Sequence, residues 1–287
     1  IASNSTISKR KKRKFNFMWF SFYAFLLLIG ASWYFVIGVE KASLTELFSN
    51  ENMEYASKFF KGLLGVGEEE IAFLNQESWS DAFTLSIETL QMSIMAIGFS
   101  TIVMFLTVIP AARNVADGSM TLSKKWYRWF VFGLIRISYI FSRAIPELVW
   151  AMIVIFIFKP GILPGAIALA LHNFGILGKL CAEVIEDTDS RPIRNLASSG
   201  ANPAQILMYG VFPTVLPKFL TYILYRWEVI MRTTIVVGFV GAGGLGQQFK
   251  LSMSFFHYTE ITLLLICYLI LVFIADYISE KSRYFVK

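Results

Sequence analysis

Three stretches of this chain run for the length of a membrane span without one charged side chain. Phe15 to Val39 has none across 25 residues, Thr89 to Ala112 none across 24, and Pro160 to Gly178 none across 19. A helix crosses the hydrocarbon core with about 20 apolar residues, and only a helix or a closed barrel can satisfy its own backbone there. The chain is 56% hydrophobic and 16% charged over 287 residues, and phenylalanine occurs 27 times. A soluble domain carries about 25% charged residues and could not bury this much apolar surface in a core of this size. The sequence therefore reads as an all-α polytopic membrane protein.

Six spans are expected, at about 17–38, 81–109, 129–158, 164–184, 214–240 and 259–278. Lysine and arginine orient them, because loops rich in these residues stay on the cytoplasmic side. Fifteen fall in the N-terminal "KRKKRK" run (Lys9 to Lys14), the 110–128 loop, the 185–213 loop and the C-terminal tail, against five in the other loops. Both termini are thus expected in the cytoplasm. The chain divides into a basic tail and first anchor (1–40), an external acidic segment (41–80) and a five-span core (81–287). The first apolar run is longer than a signal-peptide core and no small-x-small cleavage site follows it, so it reads as an anchor. In the acidic segment, Leu44, Leu47, Phe48, Phe59, Phe60, Leu63 and Leu64 recur at helical spacing and fit interfacial helices.

Charges inside spans are costly and mark buried pairs or function. The third span holds Arg136, Arg143 and Glu147 on one helix face, with Arg143 able to reach Glu147 at i+4 and Pro146 expected to kink the helix. The fourth holds His172, Lys179 and Glu183, again with an i+4 pair. The fifth holds Arg226, Glu228 and Arg232; Glu228 and Arg232 share a face, while Arg226 points away. Among these named residues, five cations face three carboxylates. A surplus of two suits an anionic solute, although Arg136 and Lys179 are near span ends and can snorkel. Cys181 and Cys267 fall inside spans without paired spacing and read as apolar fillers, and no metal site is expected.

The 185–213 loop reads as two helices and a turn. One covers about Ile193 to Ser199 and stops at Gly200, and a second starts after Asn202-Pro203 and ends before Pro213. Such a knob is either a docking element or a folded loop. Further on, "GFVGAGGLGQQ" satisfies G-x-G-x-x-G at Gly241, Gly243 and Gly246, the dinucleotide-binding fingerprint. It is embedded in an uncharged membrane segment rather than after a short sheet strand. There the glycines fit a tight reversal and close helix approach.

Several stretches resemble the phosphonate-type permeases of ABC importers: "ARN" (Ala112 to Asn114), "RAIPELVWA" (143–151), "ALALHNFGILGKLCAEVIE" (168–186), "LYRWEVIMR" (224–232) and "GFVGAGGLGQ" (238–247). The likeness covers roughly residues 80–280. It implies a type I, methionine-permease-like bundle that imports a phosphonate, phosphite or phosphate. By the same resemblance, Arg194, Ser199, Gly200, Ala201, Pro203, Gln205, Ile206 and Pro213 belong to the loop that couples to the ATPase. Gly241, Gly243, Gly244 and Gly246 form an external glycine turn, and Arg226, Glu228, Arg232, Arg143, Glu147 and His172 are candidates for the solute pathway. One departure stands out: Arg194 and Asn195 occupy the places where the family loop usually has Glu-Ala. The chain has no Walker A pattern, so no cofactor is expected in it. ATP and Mg²⁺ belong to a partner ATPase dimer. A soluble binding protein and a second copy of the permease complete the expected partners, with the bilayer around them and no nucleic acid. The rival readings are a permease of the methionine type and a proton-coupled carrier using Glu147, Glu183 or His172 as relays.

Overall fold

The computed structural model describes residues 17–40, 43, 46–68, 70–120 and 125–286. The basic run Lys9 to Lys14, together with Lys41, Leu44, Lys124 and Lys287, lies outside them, as does the side chain of Leu47. The described part is helical, with no strand among the described residues. It forms two compact units, up to Phe60 and from Lys61 onward.

The first unit contains α1 (Phe17–Tyr34), extended by a wider π turn to Val39, and leads into α2 (Asn50–Leu63). α1 is apolar on every side and buries no residue, as befits a helix whose surroundings are lipid. Around α2, Phe48, Phe60 and Leu64 are exposed.

The second unit contains α3 (Gln76–Thr107), the single turn α4 (Arg113–Ala116), α5 (Trp126–Ala144), α6 (Glu147–Phe158), α7 (Ile162–Glu186), α8 (Ser190–Ser198), the turn α9 (Pro203–Gln205), α10 (Phe212–Val237), α11 (Gly244–Ser254) and α12 (Tyr258–Val286). α7 is the hub. It packs on α3, α5, α6 and α10, and fourteen of its residues are buried. Small residues permit this. A Cβ on Gly175 would lie 2.6 Å from the Tyr139 carbonyl oxygen, and one on Gly178 would overlap the Tyr139 ring, so α5 crosses α7 where α7 has no side chain. On α3 the buried row Thr89, Met92, Ser93, Ala96, Ser100 and Met104 follows helical spacing. The hydroxyls of Thr89, Ser93 and Ser100 return to their own helix carbonyls. Cys181 and Cys267 are free, buried members of apolar clusters.

Among the described residues, five segments are long and apolar enough to cross a membrane: Phe17–Val39, Gln76–Thr107, Ile162–Glu186, Pro203–Ala242 and Tyr258–Phe285. The third expected span is corrected. It is not one kinked helix over 129–158 but two, α5 and α6, meeting at 94°. Ile145 and Pro146 are extended there (ψ 121° and 148°). A residue before proline is pushed out of the helical region, so α5 has to stop at Ala144. The fifth span is longer than expected, because the second loop helix does not end before Pro213. A π segment, Ile206–Val211, joins α9 to α10 without a break. It shifts the register by an i→i−5 bond from Phe212 N–H to Leu207 O. Pro213 thereby falls in the first turn of α10, where a missing N–H matters least.

Candidate functional site

The break between α5 and α6 leaves backbone carbonyls unpaired, and side chains take them up. Trp150 Nε1–H donates to Ser142 O at 2.9 Å, and His172 Nδ1 of α7 lies 2.8 Å from Ile145 O. The other face of the same imidazole holds Glu147: Nε2 lies 3.0 Å from Oε2. Both partners of the ring are acceptors, so one imidazole bridges the carbonyl freed at the break and the first residue of α6. The right-angle turn that creates this pair removes the one expected from spacing. Arg143 and Glu147 no longer share a helix face, and among the described residues no ion pair joins them. Arg143 is half-buried at the end of α5.

Arg226 of α10 faces α7, away from Glu228 and Arg232. Its Nε and Nη2 donate to Asn173 Oδ1 at 2.9 and 2.5 Å. Asn173 is 1% exposed and is held in turn by its amide N–H on Leu169 O at 2.8 Å. The partner is therefore a neutral amide, which orients the guanidinium without cancelling its charge. Glu147 is near enough to act electrostatically on Arg226, but its ion pair is with His172.

The other three cations singled out from the sequence are each paired with a carboxylate. Arg232 pairs with Glu228 as the spacing predicts, and also lies 3.5 Å from Asp276 of α12. Arg283 of α12 reaches the other oxygen of Glu228 at 3.1 Å. Two cations and two carboxylates thus tie α10 to α12 in a balanced network. Lys179 and Glu183 form their i+4 pair at 3.4 Å, and Arg136 pairs with Glu186. Of the five cations singled out from sequence, Arg143 and Arg226 are left without a carboxylate partner among the described residues.

The 185–213 loop folds on local signals. Asp189 caps α8 by accepting from Arg191 N–H at 2.9 Å. The helix ends in a Schellman turn, with Ala201 N–H on Leu196 O at 3.1 Å, Gly200 N–H on Ala197 O at 3.0 Å, and Gly200 at φ +84°. Asn202 and Gln205 then form a reciprocal capping box, both bonds 2.9 Å, with Pro203 in the first turn. Ile193 and Ile206 anchor the loop in the core, and Ala201 is half-buried. Arg194, Asn195, Ser199, Gly200, Pro203, Gln205 and Pro213 are exposed. Arg194 thus lies on the outer face of the loop.

The glycine motif closes a helix reversal. Gly241, Gly243 and Gly244 have φ of +102°, +90° and +63°. A Cβ on Gly246 would overlap the Ile235 carbonyl, and one on Gly238 would lie 2.6 Å from Gly246 Cα. The amides that such a motif offers to a pyrophosphate are already taken. Gly244 N–H donates to Glu88 Oε2 at 3.2 Å and Leu245 N–H to Thr89 Oγ1 at 2.9 Å, both from α3. Glu260 accepts from Ser252 Oγ at 2.9 Å and lies in the first turn of α12.

Residues 118–281 match the family described as binding-protein-dependent transport system inner membrane component. The chain belongs to this family. It is a permease subunit of an ABC importer, in which ATP hydrolysis lies with a separate subunit, so the chain is a transport component and not a catalytic one. The permease is 35% identical over 197 residues to the phosphite transport system permease protein PtxC of Stutzerimonas stutzeri, covering 69% of this chain and 68% of that one. It is 35% identical over 162 residues to the phosphate-import permease protein PhnE of Mycolicibacterium smegmatis, covering 56% of this chain and 29% of that one. The permease fold is similar to that in an inward-facing structure of the MetNI methionine ABC transporter. The TM-score is 0.64 at 17% identity, over 74% of this chain and 99% of that one.

Several permease residues that matter here escape a sequence reading. Asn173 sits inside an uncharged run, where a lone buried amide is a signal that could have found it. Glu88 interrupts the second span, and only the fold shows that it caps α11. Glu186, Asp276 and Arg283 lie at or beyond the expected span ends, and their partners are 50 or more residues away, or 44 for Asp276 with Arg232.

Proposed function

We propose that this permease, paired with a second copy, carries a phosphorus oxyanion into the cell past Arg226. The solute class is phosphonate, phosphite or phosphate. The carrying observation is the uncancelled guanidinium of Arg226. Two of its N–H groups bind the neutral Asn173, which leaves three of the five donors of a guanidinium for an oxyanion. Arg143 adds a second cation without a carboxylate partner. The names of the relatives, phosphite and phosphate permeases, support the same class. The methionine permease shares the fold alone at 17% identity, and a zwitterionic amino acid has no need of surplus cations.

In this reading the side bearing the 185–213 loop is cytoplasmic, as the lysine and arginine distribution favours, and both termini lie there in the cell's inner membrane. The exposed face of α8 and its Gly200 turn meet a dimer of ATPase subunits, which hold ATP and Mg²⁺. A soluble binding protein delivers solute at the glycine-turn side. The helical run from Pro203 through the π segment to Val237 connects the loop to Arg226, so displacement of the loop by the ATPases tilts the helix that carries the cation. Alternating access follows from two states with different contacts to the solute.

The test is uptake by proteoliposomes containing the permease, its ATPase and its binding protein, without any ion gradient. ATP-dependent entry of labelled phosphite or methylphosphonate, with methionine excluded, is expected. No ATP-dependent entry here but uptake once a proton gradient is imposed, or uptake of methionine, would overturn the proposal.

A further inference from the structure

The "ARN" stretch, Ala112 to Asn114, is left unexplained by the solute path, yet its backbone is held as tightly as any part of the fold. Glu186, the last residue of α7, accepts from Arg113 N–H at 2.7 Å and from the guanidinium of Arg136 on α5. The same guanidinium donates through Nε to Ala111 O at 2.9 Å. Asn114 Nδ2 donates to Ile185 O at 2.8 Å. Four bonds thus bind the turn after α3, the start of α4, the middle of α5 and the end of α7 at one point. That point is three residues before Asp189, the cap of α8. Beneath it, Ala111, Ala112, Val115, Val184 and Ile185 share one apolar cluster with Ile193 of α8 and Ile206.

We propose that Arg136 and Glu186 are positioning residues that pass the displacement of the 185–213 loop to α5. The loop hangs from the end of α7, and α7 is clasped there to α5 by a charge-assisted bond. Moving the loop as a rigid knob therefore moves Arg136, and with it the helix that ends at the Ile145–Pro146 break beside Glu147 and His172. This rests on the proposed docking of the loop to an ATPase.

The experiment uses the full importer in proteoliposomes and reads solute imported per ATP hydrolysed, alongside assembly and ATPase rate. Glu186→Gln keeps the shape and the oxygen that accepts from both Arg113 N–H and Arg136, but removes the negative charge that makes the Arg136 bond strong. It is expected to assemble and hydrolyse ATP while importing about tenfold less solute per ATP, the factor by which a bond between two charged groups exceeds one to a neutral acceptor. Arg136→Gln is expected to match it, and the double variant to be no worse than either. An unchanged ratio in an assembled Glu186→Gln importer, or single losses that multiply in the double variant, would overturn the proposal. Should Glu186→Gln fail to assemble, Arg136→Lys decides. A single ammonium keeps the charge but cannot hold Glu186 and Ala111 O at guanidinium spacing, so a lowered ratio supports the clasp and an unchanged one refutes it. Gly200→Asp, on the exposed turn of the loop, separates the two failures. If it leaves ATPase stimulation intact, the docking reading falls; if it uncouples while Glu186→Gln does not, the clasp alone falls.

Discussion

Asn173→Asp exchanges a single heavy atom, the amide nitrogen for an oxygen, and cancels the charge on which the proposed solute path depends. Asn173 Oδ1 lies 2.9 Å from Arg226 Nε, so a carboxylate there makes a buried ion pair with almost no change in volume. An anion bound on the far side of the guanidinium would lie about 7 Å from the new carboxylate. At an effective dielectric near 20 their repulsion is about 2.4 kcal/mol per solute charge, roughly fiftyfold in affinity. The local structure fares differently. The new pair with Arg226 strengthens the contact, while the 2.8 Å bond from Nδ2 to Leu169 O is lost at a cost of about 1–3 kcal/mol. Membrane yield and assembly with the ATPase are therefore expected to fall only slightly, with import of phosphite or phosphonate falling by a factor near fifty. Arg226→Lys should keep part of the activity, since a point charge survives without the fork, and Arg226→Gln should keep little. Normal import by a well-assembled Asn173→Asp importer would refute the reasoning, because Arg226 would then be only a link between α10 and α7.

Two further outcomes follow from the same structure. Gly246→Ala should lower thermal stability in detergent by about 1–3 kcal/mol or prevent folding, since its Cβ meets the Ile235 backbone, whereas Gly98→Ala, with nothing within 4 Å, should be neutral or slightly stabilising; equal melting shifts would defeat the close-approach account. A cysteine at Glu54 should react with an impermeant thiol reagent added outside cells and one at Ser119 should not, both positions being exposed, and the reverse pattern would invert every assignment of side.

The membrane class and most spans were legible because lipid demands long uncharged runs, and such runs need no knowledge of neighbours. The loop was legible at Gly200, Asn202 and Pro203 because helix caps are local chemistry, while the reciprocal bond from Gln205 was not read. Pro213 misled for the converse reason. A proline normally stops a helix, but the π segment ahead of it puts it in a first turn. Pro146 correctly marked a break, yet its 94° angle depends on His172 and Trp150 accepting the role of carbonyl partners, and His172 arrives from another helix. The Arg143–Glu147 pair failed with that angle. Arg226 was singled out by its isolation within its own helix, while its partner, a neutral amide 53 residues away, carries no charge signal at all. The pairing of Glu186 with Arg136 was equally invisible, since it depends on how closely α5 crosses α7 at Gly175 and Gly178, which spacing along the chain does not show.

The most direct measurement is a structure of the assembled importer, with two permease copies, ATPases and binding protein, trapped with phosphite or methylphosphonate in its path. The account predicts solute oxygens about 3 Å from the guanidinium of Arg226, with Asn173 still supporting it from behind. Solute density elsewhere in the path, with Arg226 closed on Asn173 and touching no solute, would contradict it.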